Sequence, residues 1–165
     1  VREGFETRFD FSITSASEGL AFVIHGAPSG AGTLGGSLWG MGYGFGANTA
    51  PIVQSLAIEI DAIQDTFLND TSNNEVSIHT VGVWGNSENE SVSIARATPT
   101  VDLSNNAVHT LRVRYVPGVG APGTLSVFVD TATTPLLSIA YSFETGANQL
   151  SGGNNGGLGL PTIDA

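Results

Sequence analysis

Five acidic side chains lie within seventeen residues of one another, and their type and spacing are suited to binding a cation. They are Glu59, Asp61, Asp65, Asp70 and Glu75. Like charges this close repel one another, and the repulsion grows as water is excluded, so the arrangement is costly unless a cation lies among them. Oxygen ligands in this number favour Ca²⁺, with Mg²⁺ or Mn²⁺ as second choices. The spacing therefore predicts a divalent metal site.

Two predicted strands position these acids. Before the loop, Leu56, Ile58 and Ile60 alternate with Ala57, Glu59 and Asp61. Because side chains on a strand alternate between its faces, Glu59 and Asp61 share one face. After the loop, residues 76–84 alternate again, with His79 on the face opposite Val76 and Ile78. A lone imidazole in such a strand is typical of a structural residue, and we interpret His79 in that way.

The composition restricts the classes of partner. The chain has 165 residues, enough for one domain with a real core. Its 15 acids and 5 bases give a net charge of -10, which disfavours nucleic acid and anionic lipid. No run of eighteen apolar residues occurs, so we expect no membrane insertion. The chain has no cysteine, so disulfides cannot stabilise it.

Further strands are predicted along the chain, and no amphipathic helix of convincing length is found. Residues 5–13 alternate apolar and polar, 20–24 form an apolar run typical of a central strand covered on both sides, and 136–143 form a final apolar strand. Residues 109–116 and 124–130 predict a pair of strands joined by a Gly/Pro-rich turn. The pattern predicts an all-β protein.

The acidic segment resembles the metal loop of the L-type (legume-type, concanavalin A-like) lectins, in particular their bacterial branch. The family pattern is Glu-x-Asp, then Asn, Asp and His, followed by a strand; Glu59, Asp61 and Asp70 match it, while Asp65 stands at its Asn and Glu75 at its His. The resemblance implies an antiparallel β-sandwich of the jelly-roll type and a Ca²⁺ site that also uses the Ile63 carbonyl. A second ion such as Mn²⁺ is less favoured, because Glu75 replaces the imidazole.

Two further segments carry the resemblance to a sugar site. Ser17-Glu18-Gly19-Leu20 is similar to the family's A-D-G-L segment, which implies a sugar-binding role for Glu18 after a cis peptide bond. The segment 40–44 is similar to a glycine loop that offers backbone amides to the sugar. Trp39 adjoins it, and its ring could stack on the sugar, plug the pocket or pack in the core. The implied carbohydrate-binding residues are Glu18, Trp39, Gly40, Met41, Gly42 and Asp65. Ile63 stands where the family often has an aromatic ring, so that stacking platform is lost.

The resemblance covers nearly all of the chain. We expect residues 1–165 to form a single lectin-like domain, the central part of the fold with its terminal strands absent. Unpaired sheet edges favour association, so a homo-oligomer formed through these edges is an expected partner state. The resemblance also implies a secreted or cell-surface location and glycans or glycoconjugates as partners.

Three functions compete. The first is a calcium-dependent carbohydrate-binding module, and the second is a structural or adhesion β-sandwich that self-associates without binding sugar. The third rests on the similarity of residues 59–64 to the signature of laminarinase-type glycoside hydrolases, which need two carboxylates across the scissile bond. The third signature position here is Ile63 or Gln64, and neither can deliver a proton. We therefore expect a binding protein without catalytic residues.

Overall fold

Eight strands account for most of the regular structure in the described part of the chain. The computed structural model describes residues 3–14, 17–46, 49–144 and Leu158. Its strands are β1 (Phe5–Phe11), β2 (Gly19–His25), β3 (Ser55–Asp61), β4 (Glu75–Thr80), β5 (Ser93–Ala97), β6 (His109–Val116), β7 (Gly123–Val129) and β8 (Leu137–Tyr141). The helices among these residues are single 3₁₀ turns at Gly30–Gly32, Leu38–Gly40, Thr66–Leu68 and Glu90–Val92. No described helix is long and apolar enough to cross a membrane.

The strands form two four-stranded antiparallel sheets. One has the order β1-β6-β7-β8 and the other β2-β3-β4-β5. The predicted pairing of residues 109–116 with 124–130 is confirmed, since Leu111 lies opposite Val129 and Val116 opposite Thr124. The all-β sandwich predicted from the sequence is therefore the observed fold.

The main core lies between the two sheets. Leu56, Ile58 and Ile60 of β3 are fully buried and belong to one cluster with Leu111 and Val113 of β6. These residues occupy alternate strand positions, so each strand directs one apolar row inward. Burial of such rows is the main stabilising contribution to the sandwich.

The opposite face of β3 is also buried, under the glycine-rich segment 26–54. Ala27, Tyr43 and Ile52 of this segment pack with Ala57 of β3 in a second cluster. The segment folds back closely on itself: the Gly36 N–H donates to the Gly44 carbonyl over 2.8 Å. Because this cover lies over β3, Glu59 and Asp61 are buried although they point away from the main core.

β2 differs from its prediction. The apolar run at residues 20–24 predicts a central strand covered on both sides, but β2 pairs with β3 alone among the described strands and its residues are half-buried. The same apolar run suits a strand that packs on the core with one partner among the described strands, because hydropathy records burial and not the number of partners.

Candidate metal centre and ligand-binding loops

The antiparallel register of β3 and β4 brings the acids of the two strands onto one face. Asp61 lies opposite Glu75, and Glu59 lies opposite Ser77. Directly opposed residues of an antiparallel pair project to the same side of the sheet. All four side chains are buried. The structure therefore unites the three predicted ligands that the strands carry, Glu59, Asp61 and Glu75, at one end of the sheet.

The loop after β3 turns back on the Asp61 carboxylate. The Ile63 N–H donates to Asp61 Oδ1 over 2.9 Å, and the Asp65 N–H donates to Asp70 Oδ2 over 2.7 Å. These bonds close the loop around its acids and hold Asp61 and Asp70 in fixed orientations. At the end of β4, Glu75 accepts a bond of 3.0 Å from the Thr71 hydroxyl.

Burial, together with the charges of neighbouring acids, raises the pKa values of the carboxyl groups in and beside this loop. Burial raises the pKa of Asp61 to about 8, with further contributions from the charges of Glu59 and Asp70 and a hydrogen bond to Asp70, against the bond from Ile63. Burial is also the largest cause that raises the pKa of Asp70 and of Glu75. The metal-free loop therefore holds protons where a cation would otherwise balance the charge. A donor set made only of oxygens fits a hard cation such as Ca²⁺.

A second cluster lies beside Glu59 on the same face, and the sequence did not predict it. The ligand atoms of Glu59, His79 and Glu90 all lie within 4.8 Å of one another, and all three residues are buried. His79 Nε2 is 3.1 Å from Glu90 Oε1 and 3.9 Å from Glu59 Oε2. The Tyr43 hydroxyl donates to Glu59 Oε2 from the glycine-rich segment above.

The charges of this second cluster are coupled. Burial raises the pKa of Glu59 to about 7, although the charge of His79 and the Tyr43 bond act against it. Burial lowers the pKa of His79, but its hydrogen bond to Glu90 and the charge of Glu59 outweigh that effect and raise it. Burial acts to raise the pKa of Glu90, but the hydrogen bond and the charge of His79 outweigh burial and lower that pKa. Without a metal ion, these shifts favour an ion pair between His79 and Glu90, and Glu59 keeps its proton up to about pH 7.

Glu18 lies at the same end of the sheet as the loop between β3 and β4, residues 62–74, here called the acidic loop. Partial burial raises its pKa, and the charges of Asp65 and Asp70 add to the shift, which shows that the three carboxyl groups are neighbours. The Glu18 carbonyl accepts a bond of 2.8 Å from the Ala62 N–H, so β2 and the acidic loop are joined at this point. The peptide bond before Glu18 is trans, since no cis bond occurs in the described part of the chain. The cis bond implied by the resemblance is thus wrong here.

The glycine loop reaches the same place through its side chains. Met41 lies against Gly19, where a Cβ atom would come within 3.2 Å of the Met41 sulfur. The backbone amides predicted to bind sugar are already used: the N–H groups of Gly40, Met41 and Gly42 donate to the carbonyls of Ser37, Leu38 and Gly36. In this conformation the loop presents side chains, and not those amides, to a ligand.

An aromatic pair joins the glycine loop to the acidic loop. The rings of Trp39 and Phe67 meet edge to face, with centroids 6.1 Å apart. Trp39 is half-buried, whereas 64% of Phe67 is exposed. Phe67 was not predicted as a site residue, because the stacking positions that the resemblance implies are those of Trp39 and Ile63. The pair supplies an exposed aromatic surface beside Asp65, at a different place in the loop from the stacking position at Ile63.

A cavity of about 620 Å³ lies elsewhere, at the turn between β6 and β7. Val119 and Pro122 line it, and it contains none of the predicted site residues. The shallow surface formed by the three loops at the end of β2, β3 and β4 is therefore the better candidate site, because the acids and the aromatic pair meet there.

Comparison with known protein families decides the identity of this fold. Residues 2–148 match the profile of the legume lectin domain. The chain belongs to the legume lectin domain family. A comparison with curated proteins found no significant match.

The match places this legume lectin domain among carbohydrate-binding proteins in general, and the family is generally non-enzymatic. It spans all eight strands, the glycine loop and the acidic loop. Legume lectins typically bind metal ions, and this legume lectin domain has carboxyl and imidazole groups close enough together to hold one.

Proposed function

We propose that this legume lectin domain is a calcium-dependent carbohydrate-binding module. The observation that supports it most is the meeting of three loops at one end of the β2-β3-β4-β5 sheet. Glu18 lies close enough to Asp65 and Asp70 for their charges to shift its pKa, and the Trp39–Phe67 pair adjoins them. Carboxylates that accept hydrogen bonds next to an exposed aromatic surface suit a sugar, which has hydroxyl groups and apolar C–H faces.

The calcium ligands in this proposal are the carboxylates of Asp61, Asp65 and Asp70 and the carbonyl of Ile63. When bound, the ion balances the carboxylate charge and fixes the loop. Two backbone hydrogen bonds already orient the carboxylate ligands: the Asp65 N–H donates to Asp70, and the Ile63 N–H donates to Asp61. Glu59 and Glu75 extend the acidic face on either side and complete the predicted set of metal-binding residues.

Glu18 and Asp65 accept hydrogen bonds from sugar hydroxyls in this proposal, while the Trp39 and Phe67 rings contact a sugar face. The charge of the chain adds a selection rule. Because the net charge is -10 and acids surround the site, neutral glycans are favoured over sialylated or uronic ones. Gly40, Met41 and Gly42 support the site through the backbone hydrogen bonds that fold the glycine loop, and Met41 also packs on Gly19.

A glycan array probed with and without Ca²⁺ tests this function. We expect neutral glycans to be bound only when Ca²⁺ is present, and Asp70→Asn to remove that binding while the protein stays folded. Asp102→Asn is the matched control, since Asp102 is an exposed acid outside these loops. An array that stays blank with Ca²⁺ contradicts carbohydrate binding, and binding that survives a chelator contradicts the role of calcium.

A secreted or cell-surface location and self-association through sheet edges belong to the same proposal. The millimolar calcium concentration outside cells suits a loop of modest affinity. β2 pairs on one side only among the described strands, which leaves an edge for a second copy. Sedimentation at several protein concentrations measures the association, and fractionation of the source cells measures the location.

A further inference from the structure

We propose that Glu59, His79 and Glu90 bind a divalent transition-metal ion at a site separate from the calcium loop. This inference does not depend on sugar binding. It rests on a buried imidazole and two buried carboxylates that meet under the glycine-rich segment. None of the three side chains lies in the loop 62–74, so the site belongs to the strands and to the turn before β5.

The orientation of His79 is that of a metal ligand. Its Nδ1 lies 3.0 Å from the carbonyl oxygen of Ser87. A carbonyl can only accept, so Nδ1 carries the proton and Nε2 is directed at the carboxylates. Metal-binding histidines commonly donate their second nitrogen to a carbonyl or carboxylate in this way, because the bond fixes the ring and its tautomer. A metal ion would replace the proton that Nε2 now shares with Glu90.

The distances fit a shared ion. Ligand atoms about 2.0 to 2.2 Å from a tetrahedral ion lie roughly 3.3 to 3.6 Å from one another. His79 Nε2 is 3.1 Å from Glu90 Oε1 and 3.9 Å from Glu59 Oε2, so only small side-chain movements are needed. The Ser77 hydroxyl, 2.8 Å from His79 Nε2, is placed to serve as a fourth oxygen ligand or to hold a water molecule there.

The charge balance also favours a cation. Glu90 Oε2 lies 3.3 Å from the Arg96 guanidinium and Glu90 Oε1 lies 3.1 Å from His79 Nε2, whereas Glu59 Oε2 lies 3.9 Å from that same nitrogen. Arg96 and the Tyr43 hydroxyl each hold a carboxylate from outside the cluster, which keeps both groups directed inward. A divalent ion in place of the proton on His79 Nε2 would balance both buried carboxylates and so stabilise the folded chain.

The donor set selects the class of ion. Calcium binds oxygen ligands almost exclusively, whereas an imidazole with two carboxylates suits Zn²⁺, Mn²⁺ or Co²⁺. The two sites of this chain would therefore take different ions from a mixture. Glu59 is the residue at which they approach each other, because it lies diagonally opposite both Glu75 and His79 on β4.

Calorimetric titration with Zn²⁺, Mn²⁺ and Co²⁺ in excess Ca²⁺ tests the site, since the calcium loop is then filled. We expect one equivalent of a transition-metal ion per chain, and His79→Gln to weaken its binding by at least about tenfold. His109→Gln is the matched control, because His109 is also buried but pairs with Asp130 in the other sheet. Absence of stoichiometric binding by the folded protein would overturn the proposal, as would equal binding by both variants.

Two measurements keep the test decisive if His79→Gln does not fold. Nitrogen-15 spectra of the unmodified protein should show the Nε2 resonance of His79 shifting on Zn²⁺ addition while those of His25 and His109 stay in place. Glu90→Gln, which preserves shape, should weaken the ion in the same titration. An unmoved His79 resonance rejects the site. A blank glycan array would leave this result unaffected, so the failure of sugar binding and the failure of this site are separable.

Discussion

Asn69 Nδ2 donates a hydrogen bond of 3.0 Å to Asn89 Oδ1, although twenty residues separate the two. Asn69 adjoins Asp70 in the calcium loop, and Asn89 adjoins Glu90 of the second cluster. The same Asn89 oxygen accepts a bond of 2.9 Å from the Ser91 N–H at the start of the last 3₁₀ turn. One amide oxygen therefore links the two acidic regions and fixes the turn that carries Glu90.

Asn69→Gly should weaken calcium binding by about twofold to tenfold, because one hydrogen bond contributes roughly 0.5 to 1.5 kcal/mol. Glycine accepts the left-handed backbone at this position, where φ is 69°, so the change removes the side chain without strain. Calorimetric titration with Ca²⁺ measures the effect. Asn106→Gly is the control, since Asn106 has φ of 66° and lies outside the loops. Equal calcium affinity in both variants would show that the link does not order the loop.

Calcium should raise the melting temperature of the protein by roughly 5 to 10 °C at about one hundred times its dissociation constant, since binding to the folded state alone adds about 2.7 kcal/mol. Asp70→Asn should abolish this shift, because it removes a charge at the centre of the loop. Asp102→Asn should retain it. Scanning calorimetry with Ca²⁺ and with chelator measures both, and a shift preserved in Asp70→Asn would place the ion elsewhere.

Without metal, the stability of the protein should fall as pH rises from about 5 to 8. Burial raises the pKa of Asp61 to about 8 and that of Glu59 to about 7, so the folded state binds more protons than the unfolded state over this range. Stability that depends on these protons is complete near the ordinary carboxyl pKa and is lost as each group ionises in the folded state. Urea unfolding in chelator measures the slope.

Two additions sharpen the pH experiment. Saturating Ca²⁺ should reduce or reverse the slope, because the ion binds deprotonated carboxylates. Asp61→Asn should flatten the metal-free profile, since the amide does not titrate. A stability that rises between about pH 5 and 8 in chelator would contradict the protonated state of these acids.

Trp39→Ala and Phe67→Ala should each weaken sugar binding by about threefold to tenfold while leaving calcium binding intact, since one aromatic contact contributes roughly 0.5 to 1.5 kcal/mol. Trp84→Ala is the matched control: Trp84 is 67% exposed and follows β4 at the end away from Glu75. Titration of a glycan identified on the array measures the affinities. Loss of binding in Trp84→Ala alone would move the site to the other end of the sheet.

Gly36→Ala should destabilise the protein by about 1 to 3 kcal/mol or more, because an added Cβ would lie 2.0 Å from the Gly46 nitrogen. The neighbour is backbone, so the cover over β3 must shift, and Tyr43 with it. Gly32→Ala is the control, since a Cβ there meets nothing within 4 Å. Urea unfolding compares the two, and equal stabilities would mean that the close approach at Gly36 is not needed.

The strands were predictable because their side chains alternate, whereas the metal ligands of the loop stay a prediction. β6 matches the predicted residues 109–116 at both ends, and β3 and β4 pair so that Asp61 lies opposite Glu75, a register that the alternation alone does not give. Glu90 was missed because it lies in a polar turn without periodicity, and only chain reversal between β4 and β5 brings it to His79. Trp39 and Phe67 meet through two 3₁₀ turns, and no pattern in either segment records the distance between them.

The burial of His79 on the acidic face of β4 has a consequence for how such sites are recognised in a sequence. Side chains on one side of a strand recur at every second residue, about every 6.8 Å. An imidazole at position 79, two alternate residues beyond position 75, can thus approach Glu59 from the other diagonal. A sequence motif that requires the imidazole at position 75 therefore does not detect one at position 79 on the same face of the strand.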